Sequence, residues 1–180
     1  MRISKCFWLW GRFSEKDTFY LNEQKNKVQS ILKSPNYDIH ITLAGPYFKI
    51  DNDFLSKLKF FAQNNSPLDL YLKNFDFQDE TFKSFYISIV NSNDLNYLRK
   101  GILKIKKFNF EKEYQPHISL AYGEHAQNIK KELILKIPKL KESIRLTKLS
   151  LVDVDETINF WNILRNFDLK KNFRSNHSKS

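Results

Sequence analysis

Residues 114–122 read YQPHISLAY, and a similar stretch, DIHITLAG, occupies residues 38–45. The first stretch contains HISL, beginning at His117, and the second contains HITL, beginning at His40. The chain has four histidines, and the other two, His125 and His177, lie in polar segments without this frame. A single match would carry little weight, because serine and threonine are common residues. Two matches with the same apolar neighbours indicate a repeated structural unit.

The spacing within each motif places the histidine and the hydroxyl residue together. Successive side chains of an extended strand point to opposite faces, so His40 shares a face with Thr42, and His117 with Ser119. The isoleucines and leucines between them would bury the other face. Two such strands facing each other predict a polar cleft that holds two imidazoles and two hydroxyls.

The chemistry that suits this cleft is phosphoryl transfer. An imidazole can act as base or acid near neutral pH. The hydroxyls of Thr42 and Ser119 would donate hydrogen bonds to phosphoryl oxygens as charge builds on them. This chemistry requires no metal and no cofactor. A metal site including Asp38 beside His40 is an alternative, but it would have an incomplete ligand set at unsuitable spacing.

The periodicity of apolar residues predicts an alternation of strands and helices. The 93–106 helix has Asn93 or Asp94 as its expected cap, and Pro35 should end the first helix. Strands are predicted over 6–10, 38–44, 68–77, 85–90, 117–122, 144–154 and 159–169, and helices over 17–33, 53–63, 93–106 and 126–135.

This order favours two similar α+β lobes rather than an alternating parallel sheet, because a strand-helix-strand block recurs around each histidine motif. We expect one bilobal domain over residues 1–169. Residues 170–180, KKNFRSNHSKS, offer almost nothing to bury and are expected to form a frayed basic tail.

Composition narrows the classes of partner. The chain has 180 residues, of which 41% are hydrophobic, enough for one folded domain. A net charge of +10 favours anionic, phosphate-bearing ligands, although the lysines are scattered, as in any lysine-rich proteome. The single cysteine, Cys6, excludes an internal disulfide and a cysteine-built zinc site, and is expected in the core. The apolar run at residues 6–10 is too short for a signal peptide or membrane span, which predicts a cytosolic protein with no membrane partner.

The paired motifs resemble the signature of the two-histidine phosphoesterase superfamily. The resemblance implies a bilobal fold in which two antiparallel sheets face a central cleft, with helices on the outside. Within that superfamily, residues 114–122 are similar to the second motif of cyclic phosphodiesterases that act on ADP-ribose 1″,2″-cyclic phosphate and nucleoside 2′,3′-cyclic phosphates. The similarity in layout covers residues 5–169, including tryptophans in the first strand and at Trp161. Ile39, where the family often has proline, and Gly11-Arg12 depart from the pattern.

The resemblance implies hydrolysis of a five-membered cyclic phosphodiester to a phosphomonoester. His40 and His117 would be catalytic, one activating water and the other protonating the departing ribose oxygen; analogy favours His117 as the base and His40 as the acid. Thr42 and Ser119 would bind substrate.

Tyr122 is a further substrate-binding candidate by its position in the motif. Strict alternation would point it away from Ser119, so a bulge or strand end at Gly123 is required; a core aromatic is the alternative. The tryptophans Trp8, Trp10 and Trp161 could stack on a base or ribose, or pack in the core.

The expected partner is a small cyclic-phosphate nucleotide bound by a monomer. Alternatives are a relative that processes 2′,5′ linkages at RNA ends, a relative that degrades cyclic oligonucleotides, and a non-catalytic RNA-binding module whose histidines only grip phosphate. Lys73, Lys83 and Arg99 are candidates for attracting phosphate.

Overall fold

The computed structural model describes residues 6–107, 113–155, 158 and 161–170. These ranges contain seven strands, four α-helices and one short 3₁₀ helix. The strands are β1 Cys6–Phe13, β2 Ile41–Tyr47, β3 Leu68–Phe77, β4 Phe85–Ile89, β5 His117–Ala121, β6 Ser143–Val154 and β7 Asn162–Asp168. The helices are α1 Glu15–Ile31, α2 Asn52–Gln63, α3 Asn93–Ile105, α4 Gln127–Lys136 and the 3₁₀ helix Thr81–Lys83.

All strand pairs are antiparallel, and they divide into two lobes. One lobe has β2, β1, β6 and β7 side by side, and the other has β3, β4 and β5. The first residues of β3 pair with the first residues of β6, as Leu68 with Leu146 and Tyr71 with Ser143. Strand β3 then continues into the second lobe, where it pairs with β4, so the pairing of β3 with β6 connects the strands of the two lobes. The predicted α+β class with antiparallel sheets is confirmed.

A continuous hydrophobic core holds the helices against these strands. Helix α3 shows the pattern, since it buries Leu95, Leu98 and Ile102 at helical spacing and leaves its other face to solvent. A second, smaller cluster lies beside β1 and comprises Cys6, Trp10, Val152 and Val154. Cys6 is buried, as expected.

Several predicted boundaries shift for local reasons. Helix α3 is capped by Ser92, whose side chain accepts the Leu95 N–H, so the expectation of a cap at Asn93 or Asp94 was wrong. Strand β2 begins at Ile41 rather than at residue 38, and the Asp38 carbonyl accepts a hydrogen bond from the His40 ring. Strand β1 continues to Phe13 because its pairing with β6 extends to Leu146. The tail at 171–180 and the first residues of the segment predicted at 159–169 lie outside the described residues.

Within the described residues, no helix is both long enough and apolar enough to cross a membrane.

Gly11 sets the close approach of β1 to its neighbours. It pairs with Ile41 of β2 and with Leu149 of β6. A Cβ at this position would lie 2.5 Å from Leu146 Cδ1 and 2.8 Å from Ile41 Cγ2, both in the core. A side chain here therefore displaces packed atoms beside the strand that follows His40.

We expect Gly11→Ala to lower the free energy of unfolding by about 1–3 kcal/mol, the usual effect of overpacking a core. Urea unfolding of the variant and the wild type measures this difference. The matched test is the double variant Gly11→Ala with Leu146→Val, in which part of the crowding is removed. Additive effects of the two substitutions would contradict the packing explanation.

Candidate active site

A cleft of about 760 Å³ is bordered by residues of β1, β2, β5 and the 3₁₀ helix. All five predicted site residues border it: His40, Thr42, His117, Ser119 and Tyr122. The apolar partners Ile39, Ile41, Ile118 and Leu120 are buried in the core. The alternation inferred from the two motifs thus places both imidazoles and both hydroxyls at one cavity.

His40 is held in one orientation by two contacts. Its Nδ1 lies 2.6 Å from the carbonyl oxygen of Asp38, two residues earlier. A carbonyl only accepts hydrogen bonds, so Nδ1 carries the proton and Nε2 keeps its lone pair. The ring also stacks on Trp10, with centroids 3.6 Å apart and planes 7° from parallel. Nε2 is therefore the ring nitrogen available to the cleft.

His117 repeats this arrangement in the other lobe. Its Nδ1 lies 2.8 Å from the carbonyl oxygen of Gln115, again two residues earlier. The Tyr86 ring packs edge-on against the imidazole, with centroids 5.2 Å apart. Because the Gln115 carbonyl can only accept, His117 has the same tautomer as His40. His117 is only half-buried, so it is more accessible from the cleft than His40.

The surroundings of both histidines disfavour the protonated form. Burial, aided by the positive charges of Arg12 and Lys25 and by His117, lowers the pKa of His40 to about 3. Burial and the Lys83 ammonium also lower the pKa of His117, against the opposing effect of its bond to Gln115. Both imidazoles are therefore neutral in the free protein at neutral pH.

The two motifs are tied to each other by Tyr114. Its hydroxyl donates to the backbone carbonyl of Thr42 at 2.9 Å. The Arg99 guanidinium lies 3.6 Å from the centroid of the Tyr114 ring and donates to the Leu43 carbonyl. Tyr114 precedes His117 by three residues, and Thr42 follows His40 by two, so this contact fixes one motif relative to the other.

A second group of contacts holds the segment before His40. Buried Lys25 of α1 donates to the Tyr37 carbonyl at 2.6 Å and to Asn36 Oδ1 at 3.2 Å. Arg12 lies 3.5 Å from the Asp38 carboxylate. Periodicity gave no signal for Lys25, because a helix position alone does not reveal that a lysine turns inward.

The Asp38 carboxylate is thus directed towards Arg12. Across the described ranges, no three side chains of the metal-ligating types cluster together.

Tyr122 needed a bulge or a strand end nearby in order to face the cleft, and the structure has a strand end there. Strand β5 ends at Ala121, and Gly123 has a φ of +112°, so strict alternation stops before Tyr122. Its ring stacks on Tyr37, with centroids 4.1 Å apart, and its backbone N–H donates to Ser34 Oγ. Burial raises its pKa. Tyr122 therefore belongs both to the core and to the wall of the cleft.

The remaining candidates divide between cleft and surface. Trp10 is 3% exposed and supports His40, whereas Trp8 and Trp161 are partly exposed at the cleft. Phe82 of the 3₁₀ helix packs near Trp161, and its carbonyl accepts a hydrogen bond from Ser119 Oγ at 3.2 Å. Lys83 and Arg99 border the cleft; Lys73 is exposed on β3 and does not.

A known protein family matches most of the chain. The sequence model of the 2′-5′ RNA ligase superfamily matches residues 10–157. No curated protein matches the chain.

Solved structures share the fold. The chain superposes on TT0787 of Thermus thermophilus with a TM-score of 0.62 at 16% identity, covering 94% of this chain and 98% of that one. Escherichia coli LigT in complex with 3′-AMP gives a TM-score of 0.60 at 14% identity, covering 93% and 99%. LigT in complex with ATP gives 0.60 at 14% identity, covering 93% and 98%. The expected bilobal fold is thus confirmed.

The buried neutral His40 predicts a specific loss of stability in acid. The pKa is about 3 in the folded protein against 6.5 for an unperturbed histidine. Below pH 6.5 the unfolded chain binds a proton that the folded protein excludes, so the free energy of unfolding falls until the pH approaches 3. Between pH 7 and pH 4.5 we expect this one group to contribute a fall of roughly 2 kcal/mol.

The measurement is urea unfolding at both pH values for the wild type and His40→Gln. Glutamine removes the stacking at either pH, so the readout is the difference in pH dependence, which should be smaller in the variant. Equal pH dependence in the two proteins would show that His40 is not excluded from protonation.

Proposed function

Because the chain belongs to the 2′-5′ RNA ligase superfamily, a group of two-histidine phosphoesterases, we propose that it is a metal-independent cyclic phosphodiesterase. Its substrates would be small 2′,3′-cyclic nucleotides or ADP-ribose 1″,2″-cyclic phosphate, and its product a phosphomonoester. The observation that carries this proposal is the pair of imidazoles at one cleft, each with Nδ1–H bonded to a carbonyl and Nε2 left for proton transfer.

In this mechanism a water oxygen forms the new bond to phosphorus, and the bond from phosphorus to one ribose oxygen breaks. The Nε2 of one neutral histidine takes a proton from the attacking water. The other histidine, which is protonated in the complex, gives a proton to the departing ribose oxygen. Thr42 and Ser119 donate hydrogen bonds to the non-bridging oxygens, where charge accumulates. Ser119 must exchange its bond to the Phe82 carbonyl for one to the phosphate. We keep His117 as base and His40 as acid.

The acid must acquire its proton in the complex. Burial and nearby cations disfavour a charged His40 in the free protein. A cyclic phosphate brings one negative charge between the imidazoles, and an opposite charge at close range raises the pKa of a histidine. Substrate binding and protonation of the acid are therefore coupled, so a neutral analogue would leave the site without its acid.

The dimensions of the cleft support a small substrate. Its volume of about 760 Å³ falls within the roughly 300–1,000 Å³ typical of small-molecule sites. The LigT structure with 3′-AMP shows a protein of this fold holding a nucleoside monophosphate. Trp8 and Trp161 supply aromatic surface at the cleft on which a base could stack.

Processing of RNA ends is the second candidate, favoured by the net charge of +10 and by the name of the family. Salt dependence separates the two. An RNA that contacts several phosphates loses affinity steeply as salt rises, whereas a single cyclic phosphate does not.

We expect the wild type to hydrolyse 2′,3′-cyclic AMP or ADP-ribose 1″,2″-cyclic phosphate in the presence of EDTA. His40→Ala and His117→Ala should each lower the rate by about 10²- to 10⁴-fold, the usual contribution of a general acid or base. Phosphorus NMR of the products identifies which ribose oxygen departs.

The matched control is His177→Ala, which removes a histidine outside both motifs and should leave turnover unchanged. Full activity in either motif variant would refute two-histidine catalysis. A folded wild type that turns over neither substrate would refute the small-substrate assignment and direct the search to RNA ends.

A further inference from the structure

Lys83 is a cation held inside the cleft next to His117. It is the last residue of the 3₁₀ helix between β3 and β4, and it is 9% exposed although lysines rarely bury. Its Nζ lies 2.6 Å from Gln115 Oε1 and 4.9 Å from the centroid of the Tyr86 ring. Gln115 and Tyr86 also contact the His117 ring, Gln115 through its backbone carbonyl. The ammonium and the imidazole are therefore held by the same pair of residues.

Lys83 brings a positive charge to the lining of the cleft. Removing an ammonium from water requires compensation from partners. Here the neighbours of Lys83 include an amide oxygen and an aromatic face, and its charge also disfavours protonation of His117. An anion bound in the cleft would gain from the same charge, because the field of a buried cation is weakly screened.

The proposed reaction changes the charge of the phosphoryl group. A cyclic diester carries one negative charge, whereas the monoester carries about 1.5 to 2 at pH 7 once the P–OH group left by the attacking water has ionised. One proton passes to the base while another leaves the acid, so the total charge of the two histidines does not rise during the reaction, and the hydroxyls of Thr42 and Ser119 carry no charge. Arg99, the other cation of the cleft named above, is directed to the Leu43 carbonyl and the Tyr114 ring.

We propose that Lys83 binds the phosphoryl group. Its ammonium stabilises the second negative charge, which builds on the phosphoryl oxygens in the transition state as the attacking water loses a proton to the base, and which returns when the P–OH group of the monoester ionises. This inference rests on the proposed function. The bonds formed and broken are those of the hydrolysis already described, and Lys83 gives up no proton in it. Lys83 should thus matter more for the transition state and the monoester product than for the cyclic substrate.

Lys83→Met removes the charge and keeps an unbranched side chain, and Lys83→Arg keeps the charge. Lys73→Met is the matched control, because it removes one positive charge from an exposed site outside the cleft. Steady-state kinetics with 2′,3′-cyclic AMP give kcat and KM, and inhibition by the 2′- or 3′-AMP product gives its dissociation constant. Thermal unfolding checks that each variant is folded, and Lys83→Gln replaces Lys83→Met if the latter is not.

For Lys83→Met we expect kcat to fall by about 10²-fold, as when one donor to a developing oxyanion is lost. The product should bind about tenfold more weakly, while KM changes by less than about threefold. Lys83→Arg should retain most of the activity, and Lys73→Met all of it. An active wild type whose Lys83→Met variant behaves like Lys73→Met would overturn the role of Lys83 and leave the proposed function intact.

A binding measurement separates the two proposals from each other. Inorganic phosphate is titrated into the wild type and Lys83→Met, and the imidazole signal of His117 is followed by NMR. Weaker phosphate binding in the variant would support Lys83 even if the wild type turned over no cyclic nucleotide. Equal phosphate affinity in the two proteins would refute the proposed contact.

Discussion

The candidate site depends on one hydrogen bond made twice. In each lobe a histidine donates its Nδ1–H to the carbonyl two residues earlier, Asp38 for His40 and Gln115 for His117. This bond fixes the ring orientation and the tautomer together, so that both Nε2 atoms keep a lone pair for the cleft. Tyr114 then joins the halves, because its hydroxyl bonds the Thr42 carbonyl across the lobes. The proton-transfer groups of two strands from different lobes are thus held in one arrangement.

Burial gives these groups their electrostatic character. Burial lowers the pKa of His40 and of His117, against the opposing effect of the hydrogen bond that each Nδ1 makes, so both imidazoles are neutral in the free protein. A neutral pair is suited to receive an anion, because the charge of a bound phosphate raises the histidine pKa values. One ring can then take up a proton and act as the acid, while the other stays neutral and acts as the base. The positive charge of Lys83 lies at the edge of this pair. Lys83 thus carries a permanent positive charge, whereas a histidine gains its charge only when an anion binds. This division suits a reaction whose ligand gains negative charge during turnover.

The paired motif predicted which side chains share a face of each strand, because strand alternation depends only on local backbone geometry. His40, Thr42, His117 and Ser119 border one cavity, and Tyr122 joins them because strand β5 ends at Ala121, before Gly123. The supporting residues were not predictable in this way. Lys25 holds the Tyr37 carbonyl from a helix, and the stack of Trp10 on the His40 ring depends on tertiary packing that no short-range pattern encodes. The cap at Ser92 was missed because Ser, Asn and Asp stood at neighbouring positions with similar capping propensity.

The most direct test of this account is the tautomeric state of the two histidines. Long-range ¹H–¹⁵N correlation spectra of ¹⁵N-labelled protein at pH 7, with signals assigned through His40→Gln and His117→Gln, distinguish a protonated from an unprotonated ring nitrogen. The account predicts that both rings carry their proton on Nδ1 and have an unprotonated Nε2. A proton on Nε2, or an imidazolium, at either position in the free protein would contradict it.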